Sequence, residues 1–148
     1  MHPVRARLPF VAAMIATIAL LAGCPKWRRG NVFEVPPGYR GWVVVEYGNP
    51  DCGEFPIINN RRQIKVASDG RACTKDPVAE GLGRDSYVET IDDGRMELID
   101  EKEHADRTIW GRSTVASGNG ERAVVTIQFF VGTGAEHERA ARKRRRGQ

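Results

Sequence analysis

Turn-forming residues cut the chain into short pieces, and this punctuation limits the fold more than any other feature. Pro36-Pro37-Gly38, Gly48-Asn49-Pro50, Ser68-Asp69-Gly70, Asp92-Asp93-Gly94 and Ser117-Gly118-Asn119-Gly120 separate runs rich in β-branched and aromatic residues. None of these runs is long enough, or spaced at three and four residues, to make an amphipathic helix. They read as strands at 31–35, 41–47, 62–66, 71–74, 87–91, 95–99, 108–115 and 123–131. The Asp-Gly pairs at 69–70 and 93–94 predict tight hairpins, because glycine accepts the positive φ such turns need. In the last run Val125, Ile127, Phe129 and Val131 share one face, with Thr126 and Gln128 on the other. The expected fold is all-β: an antiparallel β-sandwich or small barrel of about eight short strands. A short C-terminal helix should follow. Thr133 and Glu136 have capping-box spacing, and residues 135–145 are helix formers with basic groups in the last turns.

The first 23 residues are a different kind of segment. Arg5 and Arg7 precede an apolar run from Leu8 to Gly23, which is shorter than the ~20 residues that cross a ~30 Å hydrocarbon core and is interrupted by Pro9. A basic start, a short apolar stretch and small residues at its end form the pattern of a secretory signal peptide, so residues 1–23 are set apart from the fold. The run closes on Leu21-Ala22-Gly23-Cys24, which resembles the lipobox of bacterial lipoproteins. The resemblance implies that Leu21, Ala22 and Gly23 are read by the signal peptidase, and that Cys24 becomes the mature amino terminus. Cys24 would then carry diacylglycerol with acyl chains of the palmitate type. Two or three such chains hold a protein on a membrane where one does so only marginally.

On this division residues 24–31 are a lipidated tether, 32–133 a β-sandwich-like domain and 134–148 a basic helix or tail. Trp27, beside Lys26, Arg28 and Arg29, is suited to the headgroup level. Pro25 is not the aspartate that retains some lipoproteins at the inner membrane. The family's sorting rule then implies the outer membrane, facing the periplasm, in a host with two membranes.

Cysteine usage agrees with export. With Cys24 acylated, Cys52 and Cys73 remain as one possible disulfide in an oxidising compartment, two free thiols being the alternative. No Cys-x-x-Cys occurs, which removes support for a zinc ribbon or a thiol oxidoreductase. Of the 23 basic side chains two leave with the leader, and six of the remaining 21 fall in residues 139–148. The body before them is mildly acidic, with 15 basic against 19 acidic groups. Arg142, Lys143, Arg144, Arg145 and Arg146 form a cationic arm. Behind a signal peptide nucleic acid is not its expected partner; phospholipid headgroups, lipopolysaccharide phosphates, wall polymers and acidic proteins are.

Catalytic chemistry finds little support. The cluster 101–106 contains His104 among carboxylates, but metal sites need three or four converging ligands and the other histidines are His2 in the leader and His137 in the tail. No G-x-S-x-G elbow surrounds Ser68, Ser86, Ser113 or Ser117. No catalytic residue, metal or cofactor is assigned. Tyr39, Trp42 and Trp110 could face a ligand as an aromatic platform, although aromatic residues on strands more often pack in a core.

The run 33–48, with its P-x-G-Y-x-G-W-V pattern, and the closing Phe129-Phe130-Val131-Gly132-Thr133 together resemble an uncharacterised domain family of bacterial secreted proteins and lipoproteins. That resemblance supports the fold and implies no activity. The chain therefore reads as a lipid-anchored envelope protein, a non-catalytic binding or structural module held to the membrane through its lipid. Its basic tail would contact an anionic envelope polymer or an envelope protein. Two alternatives stand beside it: an envelope hydrolase built on His104, and an immunity-type lipoprotein that blocks a protein partner.

Overall fold

The computed structural model describes residues 26–91, 94–98, 108–118 and 124–147. Nine strands and one helix follow in order: β1 (Asn31–Val35), β2 (Gly41–Tyr47), β3 (Ile57–Ile58), β4 (Arg61–Lys65), β5 (Arg71–Thr74), β6 (Ser86–Ile91), β7 (Gly94–Leu98), β8 (Thr108–Ser117), β9 (Val124–Gly132) and α1 (Gly134–Arg146). The strands form two sheets, ordered β3-β4-β1-β6-β7 and β5-β2-β9-β8. Among the described residues the fold is mostly β with one helix, at the C-terminal end, as the turn spacing and the capping residues predict.

One apolar core joins the sheets. Phe33, Val35, Ile64 and Tyr87 enter it from the first, and Val43, Val45, Ile109, Ile127, Phe129 and Val131 from the second. Phe33 stacks on Tyr87 at 5.2 Å between ring centroids, and both meet Phe129 edge-on, at 5.3 and 4.9 Å. Rings of this size contribute both buried area and the edge-to-face term, about 0.5–1.5 kcal/mol per pair beyond burial. The alternation expected in the last strand holds: Ile127, Phe129 and Val131 point into the core and Val125 packs against it.

Strand pairing departs from the antiparallel reading. β1 pairs parallel with both β4 and β6, and β2 pairs parallel with β5, so each sheet is mixed. The chain keeps switching sheets, with β1 in one, β2 in the other, β3 and β4 back in the first and β5 in the second. A strand that returns after a crossover can lie beside an earlier one in the same direction, which a hairpin cannot do. Central β1 sends Phe33 and Val35 into the core, and Val32 is buried on the opposite face beside the partly exposed Glu34.

The Asp69-Gly70 turn is the main correction. It does not fold 62–66 back on 71–74 as a hairpin; it carries the chain from β4 in one sheet to β5 in the other. Gly70 has φ +81°, its N–H donates to the Ala67 carbonyl at 2.9 Å and its own carbonyl accepts from Val44 N–H at 2.8 Å. A Cβ here would lie 2.0 Å from the Tyr39 hydroxyl and 2.5 Å from the Trp42 carbonyl. The β6–β7 and β8–β9 pairs are antiparallel as expected. A further hairpin, β3–β4, turns on Asn59 and Asn60, with φ 50° and 58°, the two positive values a type I′ loop demands.

Residues 26–30, part of the segment read as a lipidated tether over 24–31, are docked on the domain. Arg28 N–H donates to the Leu82 carbonyl and Leu82 N–H to the Lys26 carbonyl, both at 2.8 Å. The approach is close because glycines line the seam. A Cβ on Gly30 would lie 2.0 Å from the Arg84 carbonyl oxygen, one on Gly81 2.1 Å from that of Lys26, and one on Gly83 2.7 Å from the Arg28 side chain.

Candidate functional site

The docked N-terminal segment delivers Arg28 to a buried carboxylate. Asp85, just before β6, is 4 % exposed and accepts both guanidinium nitrogens of Arg28 at 2.8 Å, Arg112 at 2.6 Å and the Asn31 N–H at 2.9 Å. Arg112 reaches it from the second sheet, at the irregularity in β8 between Trp110 and Ser113. Burial by itself pushes the Asp85 carboxyl up, but the bonds from Arg28, the Asn31 N–H and Arg112 outweigh it and hold the group below the ordinary carboxylate range. Nearby Tyr47 is fully buried, its phenol pushed by burial up to about 12. This clasp ties the N-terminal segment to both sheets. Its geometry is that of a structural lock, with four donors on the carboxylate's two oxygens.

Beside the clasp lies a cationic pocket of about 430 Å³. Lys26, Arg28, Arg29 and Arg62 line it, with Trp27 at its side and Glu80 its one acidic lining group. Arg28 is committed to Asp85 and Arg62 to Asp76, 3.8 Å away. Arg29 donates to the Asn60 side-chain oxygen at 2.9 Å, and neither it nor Lys26 has a carboxylate partner among the described residues. The Arg62 Nε is buried and lacks a hydrogen-bond acceptor there.

The third feature is the seat of α1. Thr133 caps the helix: its hydroxyl accepts from Glu136 N–H at 3.2 Å while the Glu136 carboxylate accepts from Thr133 N–H at 2.8 Å. Arg40 adds a 2.7 Å ion pair to the same carboxylate. These contacts, the Thr133 backbone bond foremost, hold Glu136 below its ordinary pKa. His137 packs between Trp42, Trp110 and Phe130, with ring centroids 5.6, 6.2 and 5.6 Å away. Gly111, φ +58°, makes room for it, since a Cβ there would lie 2.7 Å from the imidazole. The basic run is therefore a capped helix fixed to the outer face of the second sheet.

Of the aromatic trio, Tyr39 donates its hydroxyl to the Trp42 carbonyl at 2.6 Å and packs against the core. Trp110 donates Nε1 to the Gly132 carbonyl at 2.9 Å and stacks on His137. They belong to turn and helix packing and do not make an open platform. Trp42 does line a groove of about 450 Å³ between the sheet and α1, with Gln128, Arg144 and Arg145; the Arg144 guanidinium sits 5.0 Å over its ring. Arg142 pairs with Glu138 at 3.4 Å, while Lys143, Arg145 and Arg146 are exposed without a carboxylate partner among the described residues.

Cys52 and Cys73 are joined in a disulfide, Cα atoms 5.8 Å apart, fastening the loop before β3 to β5. Leu21, Ala22, Gly23, Cys24 and His104 lie outside the described residues. Among the described residues no group of three His, Cys, Asp or Glu side chains converges to hold a metal, and no helix is long and apolar enough to cross a membrane. The Arg28–Asp85–Arg112 clasp, the cationic pocket and the seat of His137 are features that reading the sequence missed. The glycine-rich run 81–83 opposite Lys26–Arg28 was the one signal within reach.

Residues 28–139 match a family described as a family of unknown function (DUF6843). No curated protein matches the chain. Among solved structures the fold is similar to that of a crystal structure described as a "Putative Lipoprotein from Bacillus anthracis". The TM-score is 0.57 at 18% identity, over 74% of this chain and 73% of that one.

Proposed function

The chain belongs to the DUF6843 family, whose function is unknown, and from that premise we propose that it is a lipid-anchored envelope protein whose β-domain is a non-catalytic binding module. The observation that carries the binding half is α1: the cations of 142–146 are displayed on a helix fixed to the sheet by a capping box, an ion pair and a half-buried histidine packed among aromatic rings. A rigid array loses less conformational entropy on meeting an anionic polymer than a free tail would. The anchor half rests on the leader and on Leu21-Ala22-Gly23-Cys24, and the name of the structurally similar protein supports it. In a host with two membranes the protein would face the periplasm from the outer membrane.

Wild type beside Cys24→Ser tests the anchor. The expected result is a mature mass beginning at Cys24 with added acyl groups, lost together with membrane fractionation in the variant. An uncleaved, still membrane-bound Cys24→Ser chain would overturn it. For the helix, titration with lipopolysaccharide or teichoic acid should show salt-sensitive binding that Arg145→Gln/Arg146→Gln weakens severalfold.

The immunity-type reading is favoured by one observation: β8 is an edge strand of ten residues whose last four, Thr114–Ser117, are exposed. Such an edge can accept a partner's strand. Recovery of one stoichiometric protein partner would select it. The hydrolase reading would require that His104→Ala abolish an activity the wild type shows.

A further inference from the structure

We infer that the cationic pocket beside the docked N-terminal segment seats the phosphate of an anionic phospholipid in the membrane to which the chain is anchored. This inference rests on the anchor reading. Only Pro25 and Lys26 separate Cys24 from Trp27, so three Cα steps, at most ~11 Å, lie between the Cα of the proposed acylated residue and that of Trp27. Because residues 26–30 are docked, that short distance applies to the whole domain: acyl chains at Cys24 bring this end of the first sheet to the interface.

What the domain presents there suits a headgroup. Trp27 and Leu82 are joined in a parallel bridge and are 76% and 55% exposed, two large apolar side chains held side by side in water. Tryptophan favours the bilayer interface, where its ring is part apolar and its N–H remains solvated. Around them Lys26 and Arg29 form no ion pair among the described residues, while Arg62 is held by Asp76 and Glu80 is the pocket's one carboxylate. The Lys26 ammonium and the Arg29 guanidinium, lining one pocket of about 430 Å³, match a phosphodiester, which offers two acceptor oxygens and one negative charge. The indole and the leucine would enter the headgroup region as the phosphate is bound. Such a contact fixes the orientation of the domain as well as its distance from the membrane.

The experiment uses the lipidated protein reconstituted in vesicles of phosphatidylcholine alone or of equal parts phosphatidylcholine and phosphatidylglycerol, each with brominated acyl chains, and reads quenching of tryptophan emission. Strong quenching is expected in the mixed vesicles, absent in Trp27→Phe. In Lys26→Gln/Arg29→Gln it should fall to the level seen in phosphatidylcholine alone, and in Arg145→Gln/Arg146→Gln it should be unchanged. Neither glutamine pair touches the Asp85 clasp, so the fold persists. Equal quenching in the two vesicle types, or quenching that survives in Lys26→Gln/Arg29→Gln, would overturn the inference. An anchored protein without quenching refutes this contact alone, whereas a Cys24→Ser chain that still sediments with vesicles refutes the anchor.

Discussion

Replacing Asp85 by alanine removes the one group that three elements share. Arg28, 13 % exposed, would be left with its charge largely buried and unpaired, and removing one partner of a buried pair costs roughly 3–5 kcal/mol. Arg112 is 33% exposed and can turn to water, so its loss adds little, at most ~1 kcal/mol. The Asn31 N–H, in a residue 5% exposed, loses its acceptor at ~1–3 kcal/mol. These costs overlap, because Arg28 can relax and water can enter, and a total near ~4 kcal/mol is expected. Urea unfolding followed by tryptophan fluorescence should show the midpoint falling at unchanged slope.

The pH dependence supplies a second check. The folded Asp85 pKa lies below the ordinary value of about 3.9, so its contribution is fully present above that value and is lost as pH falls through the folded one. The gap between wild type and Asp85→Ala should therefore be constant near neutrality and close on acidification below about pH 4. A loss under ~1 kcal/mol at neutral pH, or a gap that widens in acid, would refute the clasp as a stabilising element.

Three further outcomes follow from local geometry. Cys52→Ser/Cys73→Ser opens a loop of 21 residues' separation and should lower unfolding free energy by about 3 kcal/mol in the same urea assay. Gly70→Ala should cost more than about 2 kcal/mol, since φ is positive and the Cβ meets the Trp42 carbonyl. Gly38→Ala, at φ +70° but in open space, should cost only ~1 kcal/mol; equal losses at both sites would show that close packing at Gly70 is unimportant. Thr133→Ala should remove about 1 kcal/mol of helix stability, seen as faster amide exchange in the first turn of α1 while core strands exchange as before.

The strands were legible because period-two alternation and turn residues are local properties. Val125, Ile127, Phe129 and Val131 show their shared face without any knowledge of what covers it. Sheet membership is not local. Asp69-Gly70 looks like a hairpin turn from its own chemistry, and only the positions of β1 and β2 decide that the chain crosses there. Asn59-Asn60 was a genuine hairpin signal, missed because Ile57-Ile58 is too short for alternation to show and is exposed. The capping box of α1 could be read because it spans four residues. The clasp could not, since Asp85 lies 57 residues from Arg28 and 27 from Arg112, and ion pairs at that separation leave no spacing pattern.

The seam formed by Gly30, Gly81 and Gly83 changes what the anchor implies. A free tether of residues 24–31 would let the domain rotate above the membrane, and no surface of it would be favoured. With residues 26–30 hydrogen-bonded to 82 and locked through Arg28 to Asp85, an acyl group at Cys24 would be attached almost directly to a rigid body. The surface next to that attachment carries Trp27, Leu82, Lys26 and Arg29 beside the first sheet. The helix lies on the second sheet, over Trp42 and Phe130, whose side chains alternate outward from the core residues Val43 and Phe129. The two cationic surfaces thus belong to different layers of the sandwich. If the first is turned to the phospholipid, the second stays available to another anion, and the proposed lipid attachment and partner binding would be separable. Charge removal at Lys26 and Arg29 should then change orientation at the membrane without changing polymer binding, and removal at Arg145 and Arg146 should do the reverse.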